Sequence, residues 1–261
     1  MSGRKAQHTF HAVILIPTNP GVPIVAGLIR TNRAAIERRL AGGPLRRWVS
    51  PVLYGLETSL EPRIRTHARG TVLDAGCGSG PYRHLIEEVA VRYESLDVEV
   101  GEHPPTYLSD VQDMPAVGSR RFDTVVCSEV LEHVPSPADA LAELRRVLKP
   151  GGTLILTVPY LSRLHDEPHD YFRYTRHGLR HLLEDGGFTV SEIERTGSMF
   201  SFVGHQISTL MVVAAWKVPL VRWVVFAVGA ALITLPCRIA DSILGTDRLP
   251  LGYVVVAKTT P

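Results

Sequence analysis

The feature that most constrains the fold is a glycine-rich turn at residues 72–82, VLDAGCGSGPY. A short apolar run is followed by Gly76, Gly78 and Gly80, and a helical pattern begins directly afterwards. A glycine loop between a strand and a helix lets backbone approach a ligand closely, and the helix N-terminus adds the positive end of its dipole. The turn therefore predicts a strand–loop–helix unit that holds a nucleotide-like ligand.

Strand-like and helix-like segments alternate from this turn to the C-terminus. Such alternation favours an open, doubly wound α/β sheet. Ser136, Pro137 and Asp139 read as a capping box for one of the helices. Residues 46–68 also look helical, so residues 1–69 are predicted to be a partly helical N-terminal extension of a domain at 70–261. The predicted strands lie at 71–76, 93–100, 122–130, 153–160, 188–197 and 252–260, and helices at 81–90, 136–152 and 175–187.

An aspartate stands two positions before the first glycine. Asp74 would repel a pyrophosphate, whereas it suits a ligand that carries positive charge, such as an ammonium or a sulfonium. The spacing Gly76-x-Gly78-x-Gly80 is also one residue shorter than the dinucleotide fingerprint GxGxxG. An NAD-dependent oxidoreductase is therefore disfavoured, although it stays an alternative.

Five segments in order, covering residues 70–160, resemble class I S-adenosylmethionine-dependent methyltransferases of the type 11-like group. After the glycine turn come SLDVEV, SDVQDMP, FDTVVCSEVLEHV and LRRVLKPGGTLILTVP. The resemblance implies a Rossmann-like sheet of seven strands, S-adenosyl-L-methionine as cofactor and methyl transfer as the reaction. A catalytically silent scaffold with the same fold is an alternative.

The resemblance also implies which residues bind the cofactor. In the family, an acid at the position of Asp97 binds both ribose hydroxyls, and the pair at Asp110 and Val111 meets the adenine. Glu132 and His133 are expected to shape a loop, and Cys77 to fill space. The predicted cofactor-binding residues are Asp74, Ala75, Gly76, Gly78, Gly80, Asp97, Val98, Asp110, Val111, Ser128 and Glu129.

The segment after the fifth strand, residues 159–179, is rich in titratable side chains. If the methyl acceptor is a hydroxyl, a base helps to remove its proton, and His165 and His169 are the candidates. No metal is predicted, because Pro168 interrupts the helical spacing of these two histidines. The alternative is a structured loop in which Asp170, Arg173 and Tyr174 bond internally. The predicted substrate pocket comprises Tyr160, Asp170, Tyr171, Arg173 and Tyr174.

A hydrophobic insertion at about 199–249, predicted to be helical, precedes the last strand. Its apolar runs lie at 206–216 and 218–237, and the longest uncharged run, residues 223–237, is shorter than the roughly 20 residues of a spanning helix. One crossing would also separate the last strand from its sheet. The pattern favours a hairpin that dips into one leaflet, with peripheral or monotopic contact through 206–237; a soluble cap or homodimer face is the alternative.

Net charge and cysteine content limit which binding partners and which cellular compartment are expected for the protein. A net charge of +2 does not favour a nucleic-acid partner. Cys77, Cys127 and Cys237 lack CxxC spacing and indicate reduced thiols in the cytoplasm, on the cytoplasmic face of a membrane if the insertion contacts lipid. The predicted function is methyl transfer to an oxygen or nitrogen of a hydrophobic, lipid-linked or glycosylated small molecule.

Overall fold

Seven strands form one mixed sheet in the computed structural model, which describes residues 46–101, 103–215, 224–225, 227–246 and 248–260. The strand order is β3-β2-β1-β4-β5-β7-β6, and only β7 runs antiparallel to its neighbours. The predicted seven-stranded Rossmann-like sheet is thereby confirmed. The strands are β1 (Thr71–Ala75), β2 (Arg92–Asp97), β3 (Tyr107–Leu108), β4 (Phe122–Ser128), β5 (Leu148–Pro159), β6 (Phe188–Arg195) and β7 (Gly252–Thr259).

Helices cover both faces of the sheet. Successive strand residues point to opposite sides, so Val125 and Leu154 belong to one core cluster while Val126 and Ile155 belong to the other. This arrangement explains why the central strands are apolar without interruption. The helices are α1 (Pro51–His67), α2 (Arg83–Val89), α3 (Pro137–Val147), α4 (Arg176–Asp185), α5 (Met199–Ala215) and α6 (Leu235–Leu244).

Each face has its own pair of helices. Leu60 and Ile64 of α1 join α2 in one cluster, whereas α3 and α4 supply the other. The described part of the N-terminal segment thus packs on the sheet, in the helical layer on one of its faces. The domain boundary at residue 69 stays a prediction. Residues 1–45 lie outside the described residues.

Two helix starts follow ordinary capping chemistry, whereas the start predicted at Ser136 does not. Ser50 accepts from Leu53 N at 3.3 Å, and Thr175 accepts from Gly178 N at 3.1 Å. Ser136 makes no side-chain capping bond, so the predicted capping box is wrong. Its backbone, at ψ 85°, is turned away from the usual extended cap conformation, and its N–H donates instead to Gln112 Oε1.

The insertion is helical, as predicted. It consists of α5 and of a helix at Ala227–Leu244 that contains a π-helical turn, Ala230–Thr234, directly before α6. Asp241 of α6 is buried and accepts hydrogen bonds from the backbone N–H groups that open α5, those of Ser198, Phe200 and Ser201. These bonds satisfy N–H groups that a helix leaves unpaired, and they join the two helices of the insertion.

Replacing Asp241 by alanine is expected to lower the free energy of unfolding by about 1–3 kcal/mol, because buried N–H groups lose their acceptor. Chemical denaturation of the purified protein measures this change. Ser242→Ala is the matched control, since that exposed hydroxyl only bonds Ile239 O within its own helix. Equal stability of the two variants would contradict the assigned role of Asp241.

Candidate active site

The glycine turn lies at the carboxyl end of β1, against β2 and β4. Gly76, Gly78 and Gly80 all have positive φ, between 53° and 75°, which disfavours any side chain. A Cβ on Gly76 would come within 2.3 Å of a Val130 methyl, whereas one on Gly78 would meet nothing within 4 Å. Gly76 therefore packs the turn onto β4, and Gly78 leaves bare backbone open to a ligand.

Asp97 ends β2 and is bonded to this turn. Its Oδ2 accepts from Gly78 N at 2.7 Å, and its Oδ1 accepts from Glu99 N at 3.0 Å. The carboxylate is thus fixed in orientation beside the open backbone. Val98, the next predicted residue, is exposed.

Asp74 lies beneath the turn, with 3% of its surface exposed. Its Oδ2 accepts from the Tyr93 hydroxyl at 3.0 Å. Burial raises the pKa of the Asp74 carboxyl to about 7, and the charge of Asp97 adds to this shift. The predicted acid is therefore half protonated near neutral pH, and sequence reasoning missed its partner Tyr93.

Asp110 and Val111 follow β3 and lie close to the end of β2. The Ser109 N–H donates to Asp97 O at 2.9 Å, which ties the two loops together. Asp110 is exposed and accepts from Gln112 N, whereas Val111 is buried in the core. The structure thus brings an exposed carboxylate and a backbone turn to the side of Asp97.

Ser128 ends β4, Glu129 follows it, and both residues are fixed to β5. Ser128 Oγ lies 2.9 Å from Thr157 Oγ1, and the Glu129 N–H donates to Thr157 O at 3.1 Å. Glu129 has a φ of 55°, a region that non-glycine residues rarely occupy. Unusual backbone of this kind is concentrated at functional sites.

The loop after β5 is held by an ion pair. Arg173 donates to both carboxylate oxygens of Asp170, at 2.6 and 2.7 Å, and Asp170 Oδ2 also accepts from His165 N. These contacts lower the pKa of Asp170 to about 2 despite its burial. Tyr174 is buried and donates to Leu131 O at 2.9 Å. Asp170, Arg173 and Tyr174 thus make the internal bonds of the structured-loop alternative.

The two predicted bases occupy different surroundings. His169 is exposed, and its Nδ1 lies 3.0 Å from the hydroxyl of Tyr171, itself an exposed residue. His165 is half-buried, and its ring meets that of His133 edge to face with centroids 4.8 Å apart. Tyr160 is bonded through its N–H to Leu251 O, at the end of the insertion.

Glu132 and His133, which are expected from the sequence to shape a loop, also lie at the candidate site. They lie on a 3₁₀ turn, Leu131–His133, and the Glu132 side chain is fully buried. Burial raises the pKa of Glu132 well above its usual value, and the charge of Glu129 acts in the same direction. Glu129 and Glu132 lie three residues apart in the sequence SEVLEHV, and this close spacing of two acids is the signal that could have pointed to their shared site.

Curated relatives and solved structures are similar to parts of the chain. The ubiquinone biosynthesis O-methyltransferase of Xanthomonas euvesicatoria is 32% identical over 103 residues, which cover 34% of this chain and 43% of that protein. The chain therefore aligns with less than half of this relative's length.

Two crystal structures show the same fold. A SAM-dependent methyltransferase from Archaeoglobus fulgidus has a TM-score of 0.53 and 17% identity, covering 87% of this chain and 99% of that one. The cyclase SpnF has a TM-score of 0.56 and 18% identity, covering 80% and 81%. Because a cyclase shares it, this fold alone does not fix the reaction.

The sequence profile described as a methyltransferase domain matches residues 46–193, more than half of the chain. This match begins just before the helix α1 and includes the glycine turn, Asp97 and the loop after β5. The chain belongs to this methyltransferase domain family, and the predicted enzyme class and S-adenosylmethionine cofactor are confirmed.

Proposed function

We propose that the enzyme transfers a methyl group from S-adenosylmethionine to an oxygen of a hydrophobic small molecule, in the cytoplasm. The observation that carries this proposal is the convergence of the glycine turn, Asp97 and the histidine loop at one edge of the sheet. The name of the curated relatives, ubiquinone biosynthesis O-methyltransferases, favours oxygen over nitrogen as the acceptor atom.

The residues at this edge fit the cofactor. The bare backbone at Gly78 leaves room for its amino-acid portion, and Asp74 supplies negative charge below it. The fixed carboxylate of Asp97 suits the ribose diol, and Asp110 with the Val111 amide suits the adenine. Ala75, Gly76, Gly80 and Val98 would shape the walls beside these contacts. Bound S-adenosylmethionine would supply an already activated methyl group.

We assign the role of base to His169. The half-buried His165 ring is held within the loop, with its Nδ1 3.1 Å from Arg163 O and 3.4 Å from both Asp170 Oδ2 and Arg173 Nη2. His169 is exposed and contacts Tyr171, so it can take up a proton from an acceptor hydroxyl and pass it to solvent. Asp170 and Arg173 act as positioning residues that fix the loop.

The topology supports a hydrophobic acceptor. β6 and β7 are antiparallel, with Arg195 opposite Tyr253, so the insertion leaves and re-enters the sheet at the edge where β5 ends. The bond from Tyr160 N to Leu251 O joins the acceptor loop to the end of the insertion. Apolar helices thus begin and end beside the proposed substrate pocket, which Tyr160, Tyr171 and Tyr174 would help to line.

We further propose that the insertion rests on a membrane leaflet. Ala227–Leu244 is long and apolar enough to span a bilayer, with mean hydropathy 1.5, and only 17% of it is buried. Its two charged residues, Arg238 and Asp241, face the protein, Arg238 lying over the Tyr54 ring. An exposed stripe at helical spacing remains: Val228, Leu232, Leu235, Ile239 and Ile243 on this segment, and Met199, Val203, Ile207 and Leu210 on α5.

Residues 216–223 of the predicted hairpin lie outside the described residues. A lipid-linked acceptor would follow from membrane contact. A homodimer through the same stripe is the competing explanation for its exposure.

Purified full-length protein with methyl-labelled S-adenosylmethionine is expected to label a product in a total extract of the source cells, and the label should enter the organic phase. Asp97→Ala should lower this transfer by about 10–100-fold, since a charge-assisted bond to the diol is worth about 1.5–3 kcal/mol. Glu99→Ala is the matched control, because Glu99 contacts Asp97 only through its backbone.

The same assay tests the base and the enzyme class. His169→Ala should reduce labelling while S-adenosylhomocysteine binding is unchanged, and His177→Ala, an exposed histidine on α4, should leave both unchanged. Label in the aqueous phase alone would contradict a lipid acceptor. Binding of NAD in preference to S-adenosylhomocysteine would contradict the methyltransferase.

Affinity for S-adenosylmethionine is expected to rise as the pH rises through about 7, by up to about tenfold per pH unit, because Asp74 loses its proton there and its negative charge then attracts the cationic cofactor. The aspartate of the unfolded chain titrates near pH 4. The contribution of Asp74 to the free energy of unfolding therefore falls as the pH rises from about 4 to about 7. Calorimetry and unfolding at pH 4–9 measure both trends.

Asp74→Asn should flatten both pH dependences, whereas Asp113→Asn, at an exposed position outside the core, should not. S-adenosylhomocysteine, which lacks the sulfonium charge, should show a weaker dependence than S-adenosylmethionine. An unchanged pH profile in Asp74→Asn would refute the assignment.

The protein is expected to float with vesicles of phosphatidylcholine and phosphatidylglycerol in a density gradient. Leu232→Glu combined with Ile239→Glu should abolish flotation, because both side chains are more than half exposed on the stripe. Val91→Glu, at an exposed apolar residue between α2 and β2, should float as the wild type does. A dimer in gel filtration that the double variant dissociates, without flotation of the wild type, would support the dimer face instead.

A further inference from the structure

Glu132 presents a buried carboxylate that lacks a hydrogen-bond partner among the described residues. Its side chain is fully buried, and neither oxygen has a donor within hydrogen-bond distance in that part of the chain. His133 Nε2 lies 3.6 Å from Glu132 Oε1. Burying such a group is costly unless a counter-charge compensates it, so the position calls for a cation.

Two imidazoles, those of His133 and His165, lie close to this carboxylate. His133 Nδ1 lies 2.6 Å from His169 O, and His165 Nδ1 lies 3.1 Å from Arg163 O. Since a carbonyl oxygen can only accept, His133 Nδ1 carries the proton and His133 Nε2 carries the lone pair. His165 Nδ1 has the donor Arg173 Nη2 at 3.4 Å as well as the acceptor Arg163 O. Metal-binding histidines typically have this arrangement, with the second ring nitrogen bonded to a carbonyl or a carboxylate.

One ligand atom from each of Glu132, His133 and His165 lies within 4.8 Å of the others. Ligands around a tetrahedral ion with bonds of about 2.0–2.2 Å are separated by about 3.3 Å. Small side-chain rotations would therefore bring the three atoms into coordination. His169, the partner considered for His165 from the sequence, is exposed and contacts Tyr171 instead.

We propose that Glu132, His133 and His165 bind a divalent transition-metal ion, of the Zn²⁺ or Mn²⁺ class. Two imidazoles and one carboxylate suit these ions better than Mg²⁺ or Ca²⁺, which prefer oxygen ligands. Three protein ligands leave a coordination position open, as in catalytic metal sites. This site departs from the expectation that the chain binds no metal.

The surrounding charges favour a cation. Glu129 acts on Glu132 with a like charge, and the charges of Asp170 and Arg173 cancel in their ion pair. Asp170 Oδ2 lies 3.4 Å from His165 Nδ1, where it supports the orientation of that ring. Without an ion, Glu132 is neutralised by a proton, and an ion bound here would take the place of that proton.

The role of the ion rests on the proposed function. An acceptor hydroxyl at the open position would have its pKa lowered, so its O–H bond breaks more readily and the proton passes to His169. The acceptor oxygen then forms a bond to the methyl carbon as the sulfur–carbon bond of the sulfonium breaks, and S-adenosylhomocysteine leaves.

Chelator-treated full-length protein is to be titrated with Zn²⁺ by calorimetry and with Mn²⁺ by electron paramagnetic resonance. One ion per chain is expected, and Glu132→Gln and His165→Ala should each weaken binding at least about tenfold. His169→Ala removes a histidine of the same loop that lies outside the cluster, so its ion binding should match the wild type. Retained S-adenosylhomocysteine binding shows that each variant is folded.

The absence of stoichiometric binding in the wild type would overturn the site, as would binding by Glu132→Gln at wild-type affinity. Loss of binding in both ligand variants, with His169→Ala unaffected, would establish it. If the ion binds in this manner but no methyl transfer occurs with or without it, the site stands and the proposed O-methylation falls instead.

Discussion

The parallel pairing of β1, β4 and β5 is the constraint on which the rest of the structure depends. These strands are buried on both faces, and their backbone groups are satisfied by one another. Because they run in one direction, their carboxyl ends meet at one edge. The shared strand direction alone therefore brings residues that are far apart in sequence, such as Asp74, Glu129 and Tyr160, to this edge.

Negative charge accumulates at this edge at a cost to the fold. Asp74 and Glu132 are both buried, and burial raises the pKa of each. Neither shift stabilises the folded protein at neutral pH, because the unfolded chain releases these protons more easily. Two cationic ligands, a sulfonium and a metal ion, would each relieve one of these carboxylates, so ligand binding is expected to stabilise the fold.

The sequence predicted the elements whose pattern is local and repeated. The glycine turn, α4 and β7 were located because their periodicity or residue types are distinctive. The two-residue strand β3 is too short to leave a pattern, and the capping by Ser136 failed because Gln112, 24 residues away, bonds its N–H. The cluster of Glu132 with His165 depends on the path of a whole loop, which local spacing does not encode.

The antiparallel position of β7 has a consequence for how such an enzyme can change its substrate. Arg195 and Tyr253 are paired neighbours, so the chain between β6 and β7 starts and finishes at adjacent points. The entropy of closing a loop grows only logarithmically with its length, so a long or a short connection costs the sheet nearly the same. The apolar helices are in this sense an exchangeable cassette, and evolution can replace them while the cofactor edge stays as it is.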